Sequence, residues 1–156
     1  MKKGIKYLLW TILIILVAIQ FVPVNREIPK SDENNDFLVM TQAPEDVQIL
    51  MRNACYDCHS NETNWPWYSH IAPISFVIVE HIVDGKDHLN FSNWSTYDFE
   101  DYPSILKHMK KEIERGGMPL AGYTLIHTDA KMTDERKALI LNWIDDVSDS
   151  YKPIKE

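Results

Sequence analysis

The chain's two cysteines and one of its six histidines share a five-residue motif, Cys55-Tyr56-Asp57-Cys58-His59. Thiols three positions apart face the same side of a helical turn, so each can add to one vinyl group on a porphyrin edge. His59 follows directly and is placed to ligate the iron. The spacing therefore predicts covalent attachment of one c-type haem, with His59 as the proximal ligand.

Three other interpretations of the motif stay open. A thioredoxin-like dithiol would need a βαβ context, which no part of the sequence indicates. A zinc site would combine Cys55 and Cys58 with two histidines, but a second paired cluster of ligands is missing. The third alternative is a plain disulfide between the two cysteines.

The sixth iron ligand must come from far along the chain, and Met118 in Gly116-Gly117-Met118-Pro119 is the best candidate. The glycines end a helix and let the backbone approach a porphyrin, while Pro119 stiffens the loop. An iron without a sixth protein ligand is one alternative, and His70, His88 or His127 could give bis-histidine ligation. The full set of alternative side chains is His70, His81, His88, His108, His127, Met109 and Met132.

Other residues are expected to surround the cofactor. Trp65 and Trp67, in Trp65-Pro66-Trp67-Tyr68, would form bulky walls beside a flat apolar group, or alternatively pack in the core. Pro73 is expected to place its backbone carbonyl near the imidazole Nδ1–H of His59 and so fix the tautomer. We therefore predict Trp65, Trp67 and Pro73 as cofactor-binding residues, besides Met118.

A predicted helix delivers the motif. Pro44 suits a first helical turn, and Glu45 and Asp46 favour the positive end of the helix dipole. Apolar residues then recur at helical spacing on a face that runs directly into Cys55. They are Val47, Leu50, Met51 and Ala54.

Three further helices are predicted, and no stretch alternates with period two. One begins near Pro73 and stops at Asp84-Gly85, a second runs from Pro103 to Arg115, and the last runs from its cap Thr133 to Val147. Loops are expected over 65–70 and 91–102. The predicted inward faces are Ile74, Val77, Ile78 and Ile82; Ile105, Leu106, Met109 and Ile113; and Leu139, Ile140, Trp143, Ile144 and Val147.

The N-terminus carries a membrane signal. Residues 7–25 contain no charged side chain and would extend about 28 Å as a helix, close to the hydrocarbon thickness of a bilayer. Lys2, Lys3 and Lys6 precede the segment, so the positive-inside rule keeps the N-terminus in the cytoplasm and exports the remainder. We predict a retained anchor over 1–24; a cleaved signal peptide is the alternative, although the region around Ala18 is a poor cleavage site.

Charge and composition divide the exported part. Residues 25–36 are polar and predict a tether, residues 37–150 a folded domain, and residues 151–156 a tail. Residues 37–156 hold 11 basic and 19 acidic side chains, a formal charge of −8. Such a domain repels phosphate backbones, which argues against a nucleic-acid partner and favours a redox partner with a basic docking face.

Several motifs together resemble the small bacterial haem-binding domain proteins of cytochrome c type. They are residues 55–63 and 65–68, Ile71-Ala72-Pro73, residues 88–92, Gly117-Met118-Pro119-Leu120 and residues 127–130. The resemblance spans roughly residues 5–147 and implies a membrane-anchored domain with one haem bound at Cys55 and Cys58 and ligated by His59. Met118 matches the Met-Pro pattern of class I cytochromes c. The segment from Trp65 to Tyr102 departs from that class by its length and its many aromatic residues.

The expected fold is all-α: a small cytochrome c-like helical domain with long aromatic-rich loops, preceded by one transmembrane helix. We expect a haem c protein on the periplasmic side of a bacterial inner membrane that passes single electrons and is not an enzyme. A haem enzyme or sensor with a displaceable distal ligand is one alternative. A haem-bearing module of a larger oxidoreductase complex is another.

Overall fold

A computed structural model describes residues 2–151, without the side chain of Lys2. The predicted tail, 151–156, therefore lies outside the described residues except for Tyr151. No strand occurs within 2–151, which confirms the all-α class. The helices are α1 Lys2–Ala18, α2 Phe37–Met40, α3 Glu45–Met51, α4 Asp57–His59, α5 Ile74–His88, α6 Tyr102–Glu114, α7 Ala121–Ile126 and α8 Asp134–Ser150.

The core is built largely by α3, α6 and α8, whose apolar faces match the sequence prediction. Leu106 of α6 and Ile140 of α8 are completely buried. The Thr133 hydroxyl accepts the Arg136 N–H at 3.3 Å and caps α8, as expected. Gly116 has φ 71°, and the N–H groups of Gly116 and Gly117 bond to carbonyls of the last turn of α6. The predicted glycine terminator is therefore confirmed.

The segment predicted as a loop over 91–102 instead contributes to the core. It forms two short 3₁₀ helices, Phe91–Thr96 and Phe99–Asp101. Phe91 and Trp94 are almost fully buried, and the Phe37 ring lies 5.4 Å and 4.2 Å from theirs. Short 3₁₀ turns produce no amphipathic period over a window of residues, so the sequence pattern could not reveal this burial.

Helix α5 differs from its prediction in two respects. It continues to His88 instead of ending at Asp84-Gly85. Of its predicted inward face, Ile82 is buried, whereas Ile74 and Val77 are 47% and 49% exposed. The helix therefore presents apolar side chains that the protein itself does not cover.

Helix α1 has no protein around it, and its apolar side chains are exposed. The segment Lys3–Phe21 is long and apolar enough to cross a membrane, a property that signal sequences share. The residues predicted as a tether contain one short turn, Glu33–Asn35, and are not detached from the domain. The Arg26 guanidinium donates to the Ser69 carbonyl, and the carboxamide of Gln20, at the end of the span, bonds to the backbone of Ala72.

Candidate functional site

The cysteines lie on one continuous helical stretch. Helix α3 passes through a π-helical segment, Arg52–Tyr56, into α4, and the backbone stays helical at Asp57. Both thiols are free and half-buried, and the Cys55 Sγ lies 3.9 Å from the Met51 Sδ. π-Helical insertions are frequent at functional sites, because the extra residue changes the direction of the following side chains.

The His59 imidazole is oriented by two backbone carbonyls. Its Nδ1 lies 2.9 Å from the Gly85 oxygen and 3.1 Å from the Leu89 oxygen, both at the end of α5. Carbonyl oxygens only accept, so Nδ1 carries the proton and Nε2 is left with a lone pair. Metal-ligating histidines are held in this way. The tautomer suits ligation through Nε2.

The role expected of Pro73 therefore belongs to other residues. The Pro73 carbonyl accepts the N–H of Phe76 at 3.1 Å, inside the first turn of α5. The prediction was wrong because a backbone carbonyl can be supplied by any residue type, so sequence does not identify it. The available signal was Gly85, because a glycine inside a helical pattern can have a packing or functional reason.

Gly85 permits α5 to pack directly against the motif. A Cβ added at Gly85 would lie 2.7 Å from the Cys58 carbonyl oxygen and 3.3 Å from its carbon. Both atoms belong to the backbone of the neighbouring helix and cannot rotate away. Because Gly85 has no side chain, α5 packs close enough for the Gly85 carbonyl to reach His59.

Burial sets the protonation of the Cys55, Cys58 and His59 side chains. It raises the pKa of Cys55 to about 12 and that of Cys58 to about 11, with smaller contributions from Cys58 and Asp57 respectively. It also lowers the pKa of His59. At neutral pH the thiols are therefore protonated and the imidazole is neutral. A thioredoxin-like dithiol shows the opposite shift, a lowered thiol pKa.

Tyr56, which follows Cys55, is buried and is hydrogen-bonded to Asp36, the residue before the first helix of the domain. Its hydroxyl lies 3.0 Å from both carboxylate oxygens of Asp36, and its ring stacks on Phe91 at 5.3 Å. Asp36 also accepts the N–H groups of Leu38 and Val39 and caps α2. Burial raises the pKa of the Asp36 carboxyl, although these hydrogen bonds oppose the shift. Sequence reasoning did not identify this contact.

The motif also contacts α7, through Asp57. The Tyr123 hydroxyl donates to the Asp57 carboxylate at 2.7 Å, and the Tyr123 ring stacks on His127 at 4.2 Å. The Tyr68 hydroxyl bonds to the Nε2 of His127 at 2.5 Å. Asp57, Tyr123 and His127 border a cleft of about 350 Å³ that also includes Arg52. His127, one of the three histidines expected as alternative ligands, is therefore engaged by two tyrosines.

The candidate distal ligands fall in different surroundings. Met118 is half-buried and lies in the loop between the end of α6 and α7. Met109 is buried in the core, as the predicted inward face of its helix requires, and Met132 is partly buried against that core. The remaining histidine candidates are exposed: His70, His81, His88 and His108. Ligation by Met118 stays a prediction.

The two tryptophans expected beside the cofactor are placed differently. Trp67 is 75% exposed, and its ring meets Tyr68 edge to face at 5.8 Å. Trp65 is half-buried, and its indole N–H is enclosed without a hydrogen-bond partner. The Thr63 hydroxyl has the same deficit. Buried donors of this kind need an acceptor, which a bound polar group can supply.

The donor set fits haem better than zinc. Among residues 2–151 no three His, Cys, Asp or Glu side chains converge as a set that could hold a metal ion. Structural zinc takes four such ligands, whereas haem iron takes one or two from the protein. His59 with its fixed Nδ1–H and two free thiols on the same turn agree with a haem site.

Comparison with known proteins gives one match. A family model described as a haem-binding domain matches residues 14–146, most of the chain. Searches of curated proteins and of solved structures found no match. The matched range contains the motif, α5, the Met118 loop and most of α8. The chain therefore belongs to the haem-binding domain family.

Proposed function

We propose that the chain binds one haem c covalently through Cys55 and Cys58, with His59 as an axial ligand, and transfers single electrons. The observation that carries the proposal is the orientation of His59: two carbonyls fix its Nδ1–H beside two free thiols. Family membership supports haem as the cofactor.

In this proposal each cysteine adds its sulfur to one carbon of a vinyl group and its proton to the other. The thiols of Cys55 and Cys58 are available because neither is in a disulfide. When bound, the haem supplies a one-electron couple at its iron. The protein's contribution is to hold the Nε2 lone pair of His59 in a fixed direction, through the carbonyls of Gly85 and Leu89.

Intact mass spectrometry under denaturing conditions tests the attachment. We expect protein made with a cytochrome c maturation system to retain the mass of one haem, and Cys55→Ser/Cys58→Ser protein to lose it. The matched control is Ser60→Ala, which leaves Cys55, Cys58 and His59 unchanged. Wild-type protein without the added mass would contradict covalent attachment.

Met118 is proposed as the sixth ligand because of where its loop is held. The loop begins at the glycine cap of α6 and ends at α7, which Tyr123 attaches to the motif helix. We expect Met118→Ala to remove the optical signature of sulfur ligation and to open the iron to added imidazole. Met132→Ala is the matched control. An unchanged spectrum in Met118→Ala would contradict ligation by Met118. Together with immediate binding of added imidazole by the wild type, it would support the enzyme or sensor alternative.

The proposed partner is a redox protein with a basic docking face. The domain from residue 37 carries a formal charge of −8, so attraction at a distance would raise the encounter rate. Screening lengths fall to about 8 Å at physiological salt, so the rate of electron transfer should decrease as ionic strength rises. A rate that is independent of salt would contradict this partner.

We also propose that α1 is retained as an anchor, with the domain on the periplasmic side. The apolar side chains of α1 have no protein cover and require lipid. Residues beyond it, Gln20 and Arg26, bond to the backbone of the domain. Protease protection in spheroplasts tests the orientation: the domain should be digested from outside.

A further inference from the structure

The geometry points to a lipid-contacting face on the haem domain itself. We name it the membrane patch and define it by Phe21, Ile71, Ile74 and Val77. The inference is that the domain rests on the outer bilayer surface through this patch, in one orientation, instead of moving freely on a tether. It rests on the proposed membrane anchoring by α1.

Two independent contacts join the anchor to the domain. The Gln20 carboxamide donates to the Ala72 carbonyl at 3.0 Å and accepts the Ala72 N–H at 3.0 Å. The Arg26 guanidinium donates twice to the Ser69 carbonyl, at 3.2 Å and 2.9 Å. A planar amide that satisfies both backbone groups of one residue restricts both position and rotation. The chain therefore leaves the membrane already attached to the domain.

The Gln20 contact also sets the depth of the domain. Gln20 is the residue before the last in the candidate span Lys3–Phe21, so it lies about one helical rise, 1.5 Å, from the end of that span. Ala72 is hydrogen-bonded to it and must lie at the same level, the bilayer interface. Ile71 and Ile74 are within two residues of Ala72, so they lie close to that level too.

The chemistry of this region suits lipid. Residues 63–79 contain no Asp, Glu, Lys or Arg, in a chain that is 25% charged. Ile71, Ile74 and Val77 are 42%, 47% and 49% exposed, and Phe21 is 83% exposed. Ile74 and Val77 lie one turn apart on the same side of α5. Trp67, in the same uncharged segment, belongs to the residue type enriched at membrane interfaces.

The inference explains why the predicted inward face of α5 is uncovered. Its N-terminal turns carry apolar residues that no other described element buries, and those turns adjoin the place where α1 ends. Because the patch is continuous with a membrane span, lipid is the surface closest to it. The acidic side chains of the domain lie outside residues 63–79; the first after the patch is Glu80, one turn beyond Val77.

Photocrosslinking of the full chain in lipid nanodiscs tests the patch. Ile74→p-benzoyl-phenylalanine places a photoreactive group in the patch, and Val83→p-benzoyl-phenylalanine is the matched control. Val83 is 50% exposed on the same helix. Nine residues separate the two positions, about 13.5 Å along α5 and half a turn around it. We expect lipid adducts by mass spectrometry at position 74 and none above background at position 83.

Each other outcome would overturn the inference. If the protein resists alkaline carbonate extraction but position 74 gives no lipid adduct, or a covalent dimer, the anchor is real and the patch faces something else. Equal lipid adducts at both positions would mean that the contact is not confined to the patch. Extraction by carbonate, or a mass lacking the N-terminal residues, would refute the anchoring and the inference with it. Val77→p-benzoyl-phenylalanine repeats the test if the first variant does not fold.

Discussion

Gly85→Ala is expected to damage the site although alanine favours helices. The added Cβ would lie 2.7 Å from the Cys58 carbonyl oxygen, whereas ordinary contact begins at 3.4 Å. Helix α5 must therefore withdraw by about 0.7 Å, the difference between these distances. The bond from His59 Nδ1 to the Gly85 oxygen, now 2.9 Å, would lengthen beyond hydrogen-bonding distance.

The expected loss of stability is the balance of three effects. Alanine stabilises a helix interior by about 0.5–1 kcal/mol relative to glycine. Overpacking against a neighbouring backbone costs about 1–3 kcal/mol. A weakened hydrogen bond costs a further 0.5–1.5 kcal/mol or so. We expect Gly85→Ala to lower the free energy of unfolding by about 1–3 kcal/mol.

Chemical denaturation followed by circular dichroism measures this change. Gly122→Ala is the matched control, because it is also in a helix, α7, and a Cβ there would meet nothing within 4 Å. It should leave stability unchanged or raise it by up to about 1 kcal/mol. In haem-loaded Gly85→Ala the reduction potential should rise, because the imidazole loses a hydrogen bond that makes it a stronger donor. Equal stability of wild type and Gly85→Ala would refute the close-approach reasoning.

Three further outcomes are expected. Tyr56→Phe should lower the free energy of unfolding by about 1–3 kcal/mol, because the buried Asp36 carboxylate loses a hydrogen-bond donor. Thermal or urea denaturation measures this change, and an unchanged free energy of unfolding would contradict the role of the contact. The stability of Asp36→Asn relative to wild type should increase as pH rises from 4 to 7. The pKa of Asp36 is raised in the folded protein, so wild type loses the stabilisation that the protonated carboxyl gives as this group ionises. A stability difference that stays constant in urea titrations across this pH range would argue against this. Tyr123→Phe should speed amide exchange in α7 more than in α6, and equal exchange would mean that the Asp57 contact does not hold α7.

Sequence predicted well wherever a feature depends on a long helical period or on a residue type that a turn requires. The helix leading into Cys55, the stripes of α6 and α8 and the glycine cap at Gly116 all belong to these classes. Each signal extends over several residues or is specific in itself. The long apolar helix near the N-terminus is another case, because length and composition suffice to detect a segment that is able to cross a membrane.

The remaining features depend on contacts between distant parts of the chain. The carbonyls of Gly85 and Leu89 that orient His59 have no side-chain signature. Gly85 looks like a terminator until the neighbouring backbone of Cys58 is known. The burial of Trp94 within a short 3₁₀ helix follows from packing against Phe37 and from no local pattern. Sequence thus identifies the candidate site residues but not the backbone groups that orient them.

A pyridine haemochrome spectrum of the purified protein, with a haem stain after denaturing electrophoresis, tests the central claim most directly. The spectrum distinguishes haem whose two vinyl groups are both converted to thioethers from haem with one or none. We expect two thioethers in wild type, one in Cys55→Ser, and no covalent haem in Cys55→Ser/Cys58→Ser. Haem that leaves the wild-type chain on denaturation, or that stays bound in the double variant, would contradict attachment at Cys55 and Cys58.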